Sequence, residues 1–280
     1  MTTTIDLNRL LWQERAAGDS TRAWESLTTE PEGILEEPAE LPSGPGLWLR
    51  PPGGTDDRVL LAVHGGGFVS GSIDTHRRMF GHLALASGMT TLVVDYGLVP
   101  EHVYPAQLDQ VDSAYLTLTQ AVTGRQVAVV GDSCGATLAL GVALRALDVG
   151  RPAPAALLLI SPWVDLSISG DSYDAGTDPF FSRELTRGLA DAYLAGADRG
   201  DPAVDLTRAD LSRLPPTYVQ VGGDEALLDD ARLLARLAPA VELEVFPGQL
   251  HTFQMAAGRS PAADDAIARA GSWLHRTLVS

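Results

Sequence analysis

The residues with the clearest capacity for chemistry are Gly131-Asp132-Ser133-Cys134-Gly135. They follow Gln126-Val127-Ala128-Val129-Val130, a short β-branched apolar run, and precede Ala136 to Arg145, apolar on most faces. Strand, G-x-S-x-G, helix is the context of a nucleophile elbow. In such a turn Ser133 adopts strained backbone geometry, and glycines two residues away on either side let strand and helix approach closely. The hydroxyl then stands clear of the sheet, at the foot of a helix whose amides favour negative charge.

A serine hydroxyl is a weak nucleophile until a base takes its proton, and the base needs an orienting acid. Two of the six histidines, His251 and His275, follow Ser133. His275 falls in the terminal helical pattern, where a surface position is the ordinary explanation. His251 lies in a glycine-bearing loop after the last apolar strand pattern, at the edge where open α/β sheets gather their active groups. The acid should come from the end of the preceding strand, where Gly222-Gly223-Asp224-Glu225 stands. Asp224 is favoured over Glu225 because the next helix is expected to begin there. Asp229 and Asp230 then fall within that helix, as solvated or cap-favouring acids.

Hydrolysis at a carbonyl also needs backbone N–H groups aimed at the oxygen that becomes charged. Cys134, directly after the serine, supplies one such amide. The other should come from the loop after an early strand, where His64-Gly65-Gly66-Gly67-Phe68 stands, its three glycines letting the backbone turn its amides inward with no side chain in the way. Cys134 has no partner cysteine for a metal or a disulfide and adjoins a better-placed serine, so it reads as a small buried residue beside the elbow.

The elements that position these groups alternate. Strand patterns at 59–63, 91–96, 126–130, 155–160, 218–221 and 241–246 are interleaved with helical patterns at 75–87, 105–122, 136–145 and 261–278. That alternation predicts a mostly parallel sheet with helices on both faces. A strand pair is expected over 33–51 and two short helices over 5–28, the second capped by Asp19 or Ser20. Residues 164–214 contain no convincing strand and are expected, with about residues 1–30, to form a small helical cap over the site.

These stretches resemble the bacterial hormone-sensitive-lipase-like esterases of the α/β-hydrolase superfamily. The resemblance is carried by His64-Gly65-Gly66-Gly67-Phe68, Val69-Ser70-Gly71-Ser72, Asp95-Tyr96, Pro100-Glu101-His102, Pro105-Ala106, Gly131-Asp132-Ser133, Ser161-Pro162-Trp163 and Leu214-Pro215-Pro216. Within that family the chain is most similar to the branch described as monoterpene ε-lactone hydrolases. The resemblance covers about residue 45 to the end. It implies one α/β-hydrolase domain over 1–280, a triad of Ser133, Asp224 and His251, and oxyanion amides from Gly66, Gly67 and Cys134. It also implies hydrolysis of carboxylic esters or lactones through an acyl-serine, with no metal and no organic cofactor. Three departures stand out. Cys134-Gly135-Ala136 replaces alanine and two glycines, Gly97-Leu98-Val99 replaces a run with a bracing arginine, and Val204-Asp205-Leu206-Thr207 replaces a serine-proline turn.

The same scaffold could host a biosynthetic lyase, cyclase or acyltransferase, and a covalent acyl-serine resolved by water separates hydrolysis from those. A non-catalytic receptor on this fold is disfavoured by the retained His251. Composition narrows the partners. With 20 basic and 36 acidic residues the net charge is −16, which repels nucleic acid and anionic membranes and suits a neutral substrate. One cysteine precludes an intrachain disulfide and fits a reducing compartment. The first residues lack a signal-peptide pattern and no apolar run reaches spanning length, so a cytoplasmic protein is expected. The last strand could be a sheet edge, where pairing would give a homodimer.

Overall fold

The computed structural model describes residues 6–121, 126–200 and 204–279. Its strands are β1 (Leu35–Leu41), β2 (Gly44–Arg50), β3 (Arg58–Val63), β4 (Thr90–Val94), β5 (Gln126–Asp132), β6 (Leu157–Ile160), β7 (Thr217–Gly222) and β8 (Val241–Phe246). They form one sheet in the order β1-β2-β4-β3-β5-β6-β7-β8. β1, β2 and β4 pair antiparallel in sequence, while β4 through β8 are parallel. The mostly parallel sheet flanked by helices that the alternation predicts is the one observed.

The helices are α1 (Leu7–Ala16), α2 (Ile73–Ser87), α3 (Ala106–Ala121), α4 (Cys134–Asp148), α5 (Arg183–Leu194), α6 (Leu228–Leu237) and α7 (Pro261–Val279). Local chemistry fixes several of their ends. Ser72 and Thr75 form a capping box that starts α2, and Gly88 stops it in a left-handed conformation. Strand residues alternate between two apolar layers, as a period of two requires. Val59, Leu61, Val63, Val127 and Val129 face a layer built with α3, α4 and α6. Leu60, Ala62, Ala128 and Val130 face the other layer, with α1, α2 and α7. The central strands are therefore covered on both faces, which is why they read as continuous apolar runs.

Residues 164–214 contain no strand among the described residues, only α5 and three single 3₁₀ turns. The segment is tied by its own polar groups. Asp165 accepts from the amides of Ser167 and Ser169 at 2.8 Å each, and the Arg183 guanidinium pairs with Asp174 at 2.6 Å. α1 meets this segment through Trp12, whose ring lies 5.3 Å from Phe180 and 5.0 Å from Phe181. Residues 1–5 and 201–203 of the expected cap, and residue 122 of the helix expected over 105–122, lie outside the described residues.

Two local expectations are corrected. The second N-terminal helix is only a 3₁₀ turn at Trp24–Ser26, because Asp19 spends its carboxylate on the Thr21 amide and hydroxyl rather than capping a helix. The helix after β7 begins at Leu228, not at Asp224, so residues 223–227 are a turn.

Candidate active site

Ser133 occupies the turn between β5 and α4 with φ 54° and ψ −122°, a conformation that a non-glycine residue adopts only when its surroundings impose it. The bracing glycines explain how. A Cβ on Gly131 would come within 2.3 Å of the Gly135 carbonyl, and one on Gly135 within 2.2 Å of the Val63 carbonyl on β3. The turn closes only without side chains at both positions.

His251 reaches the serine from the loop after β8, with Nε2 2.9 Å from Ser133 Oγ. The backbone carbonyl of His251 is gripped from α1, by Trp12 Nε1–H at 2.9 Å and the Asn8 side-chain amide at 3.1 Å. Phe181 packs edge-on against the imidazole at 4.7 Å. Both His251 and Ser133 are buried. His275 is exposed on α7, as its helical position suggested.

The carboxylate that meets His251 is not the one the sequence pattern singled out. Asp224 turns outward, its side chain 36% exposed and its Oδ2 3.2 Å from the Arg9 guanidinium. Its amide is fixed to the Gln249 carbonyl at 3.0 Å. Glu225, fully buried, instead places Oε1 3.1 Å from His251 Nδ1. Its Oε2 accepts from the Gly222 amide and the Ser161 hydroxyl, each at 2.7 Å. The correction follows from the late start of α6. Within the 223–227 turn, Asp224 points to solvent and Glu225 points under the loop. A weak signal for this was present, since Glu225 leads into Ala226-Leu227-Leu228, all buried. Asp230, read as a solvated or capping acid, is buried too. It accepts from the amides of Val164 and Asp165 and from the Tyr173 hydroxyl.

Gly66 and Gly67 adopt φ 123° and 62° and line the same cavity as Ser133 and His251. The Gly66 carbonyl is occupied by the Val69 and Ser70 amides and the Ser70 hydroxyl. Cys134 opens α4 directly after the serine. Its thiol has a role that sequence reasoning missed, accepting the Phe68 N–H at 3.3 Å and so tying the glycine loop to the elbow. Burial pushes that thiol up to about 12, so it stays protonated. Beneath the loop, His64 stacks on Tyr96 at 4.3 Å and places Nδ1 2.8 Å from the Gly65 carbonyl. Burial, with His76 nearby, depresses His64 to about 4 and keeps it neutral, a strut rather than a base.

The cavity above Ser133 has a volume of about 470 Å³. Its walls come from α1 and α5 and the segments beside them, chiefly Trp12, Trp24, Phe180, Phe181, Leu185 and Leu189. Asp132 and His76 also line it, with His76 Nε2 3.4 Å from Asp132 Oδ2. Among the described residues no group of three or more potential ligands could hold a metal ion, and no helix is long and apolar enough to cross a membrane.

Residues 60–255 match the sequence pattern of the α/β-hydrolase fold family. The chain belongs to that family. This α/β-hydrolase is 36% identical over 219 residues to an esterase of Acinetobacter venetianus, spanning 75% of this chain and 72% of the relative. It is 37% identical over 235 residues to an acetyl-hydrolase of Streptomyces hygroscopicus, spanning 81% and 78% of the two chains. A solved esterase of the bacterial hormone-sensitive lipase family superposes with a TM-score of 0.89 at 35% identity, covering 99% of this chain and all of the other.

Against that background the departures acquire physical content. Gly97 leaves room for the His102 ring, since a Cβ there would lie 2.2 Å from it. The Gly97 amide is held by Gln110 Oε1 at 2.7 Å. The loop that an arginine would brace is thus fixed in this hydrolase by His102 and Gln110. In the Val204-Asp205-Leu206-Thr207 stretch, Asp205 caps a 3₁₀ turn at Leu206–Arg208.

Proposed function

We propose that this α/β-hydrolase cleaves carboxylic esters through an acyl-serine intermediate, with Ser133, His251 and Glu225 as its triad. The observation that carries the reading is the buried line from Glu225 Oε1 through the His251 ring to Ser133 Oγ, at 3.1 and 2.9 Å, on the floor of an apolar cavity. Ser133 attacks the carbonyl carbon while His251 Nε2 accepts its proton. Glu225 holds the imidazole in the tautomer that leaves Nε2 free to accept, and stabilises the imidazolium that forms. The amides of Gly66, Gly67 and Cys134 receive the developing oxyanion. His251 then protonates the leaving alcohol and afterwards activates water against the acyl-serine.

Similarity to esterases and an acetyl-hydrolase supports ester hydrolysis. The aromatic and aliphatic walls favour neutral, apolar substrates of small to medium size, and a cavity of about 470 Å³ also admits a lactone ring. The net charge of −16 points the same way. Ser133→Ala, assayed with p-nitrophenyl butyrate, should lose turnover by a factor on the order of 10⁶ while keeping its circular dichroism spectrum. Wild-type rates in that variant would overturn the reading. A panel of p-nitrophenyl esters from acetate to decanoate, run beside simple lactones, places the preference.

A further inference from the structure

One short segment outside the proposed triad touches two of its members and the residue that follows the third. β6 ends at Ile160, and Ser161-Pro162-Trp163 leads from it into the segment that covers the site. The Ile160 carbonyl accepts the Ser133 amide at 2.9 Å, and the Trp163 amide donates to the Ser133 carbonyl at 3.2 Å. The Ser161 hydroxyl donates to Glu225 Oε2 at 2.7 Å. The same oxygen accepts the amide of Thr252, the residue after His251, at 3.0 Å. Ser161 is fully buried. It sits at φ 45°, where an L side chain is strained, and is held there by its own amide donating to the Gln220 carbonyl at 2.7 Å.

We propose that Ser161 is a positioning residue for the catalytic acid and base, its hydroxyl fixing the Glu225 carboxylate relative to the loop that carries His251. This rests on the acyl-serine reading above. A carboxylate has two oxygens and a free torsion, so one contact with an imidazole does not set its plane. Two donors on Oε2, the Gly222 amide and Ser161, do set it, and they leave Oε1 facing Nδ1. The strained backbone at 161 is what brings one hydroxyl within reach of both Glu225 and Thr252. Removing it leaves Oε2 with one donor and leaves the Thr252 amide without its acceptor in a buried place.

The test compares Ser161→Ala and Ser161→Gly with wild type on p-nitrophenyl butyrate, with Ser133→Ala alongside. Both substitutions remove the hydroxyl, and glycine also relieves the positive φ, so it folds where alanine strains. In each, kcat should fall about tenfold to a hundredfold with KM within about twofold, because the lost contact orients reacting groups rather than binding substrate. The low-field proton resonance of the His251–Glu225 hydrogen bond should broaden or move in the same variants. A Ser161→Gly enzyme with wild-type kcat and an unmoved resonance would overturn the proposal, and so would a loss carried wholly by KM. Failure of the parent reading looks different, since there Ser133→Ala itself would retain turnover.

Discussion

Two buried carboxylate–histidine pairs each place a histidine on one cavity, and they differ in what stands beyond the histidine. In the first, Glu225 faces His251 Nδ1 and Nε2 faces Ser133 Oγ. In the second, Asp132 faces His76 Nε2 at 3.4 Å, and His76 Nδ1 lies 2.7 Å from Thr75 Oγ1. Thr75 is already committed to the capping box of α2, accepting from the Ser72 amide. Asp132 also accepts the Gly65 amide at 2.9 Å, at the root of the glycine loop. One pair therefore ends on a strained, cavity-facing serine hydroxyl, the proposed nucleophile, and the other ends on a helix cap. A histidine beside an acid is common to both. What distinguishes a catalytic relay from a structural clamp is the third group and the backbone that aims it.

The sharpest break of that comparison lies in two adjacent acids. Glu225→Gln should lower kcat by about 10⁴, because an amide at Oε1 can present its own N–H to Nδ1 and favour the wrong tautomer. Asp224→Asn, which loses one half-exposed contact with Arg9, should change kcat less than twofold. Steady-state kinetics on one ester checks both. The reverse ranking would restore Asp224 as the acid.

That pair of substitutions also marks how far the sequence was legible. The elbow, the glycine loop and His251 were readable because each is a local pattern, a turn that only glycine permits or a histidine in a loop at a strand end. The parallel sheet was readable because strands buried on both faces leave unbroken apolar runs such as Leu60-Leu61-Ala62-Val63. The choice between Asp224 and Glu225 was not local. It depended on where α6 starts and on two distant donors, the Gly222 amide and the Ser161 hydroxyl, converging on one oxygen. The Asp132–His76 pair joins β5 to α2 across 56 residues of chain, and no spacing rule reports such a contact. Cys134 was read for its backbone position alone, and its sulfur contact with Phe68 depends on how a loop elsewhere folds back.

The second pair should fail differently from the first. Asp132→Asn keeps an oxygen for the Gly65 amide but turns an N–H₂ toward His76, removing the charge from a fully buried contact. Loss of a hydrogen-bonding carboxylate from a buried place costs about 1.5–3 kcal/mol of stability. The expected signature is a clear fall in Tm with kcat reduced less than tenfold. A kcat loss near that of Glu225→Gln at unchanged Tm would make the second pair part of the chemistry as well.

A third buried carboxylate has no histidine and gives the smallest effect. Asp230 binds the stem of the covering segment through the Val164 and Asp165 amides and the Tyr173 hydroxyl. Burial raises its carboxyl from an ordinary 3.8 to about 7, against the lowering influence of those same donors. Between about pH 4 and pH 7 the native protein therefore holds a proton at Asp230 that the unfolded chain has released. Stability from this group is complete below the unfolded value and is lost as pH rises through 7. Asp230→Asn keeps an acceptor for the two amides and cannot titrate, so its Tm should gain on the wild type's as pH goes from 5 to 8, while kcat changes by less than about threefold. Tm measured across that range decides it: parallel curves would mean that Asp230 stays ionised in the fold, a charge held by its three donors alone.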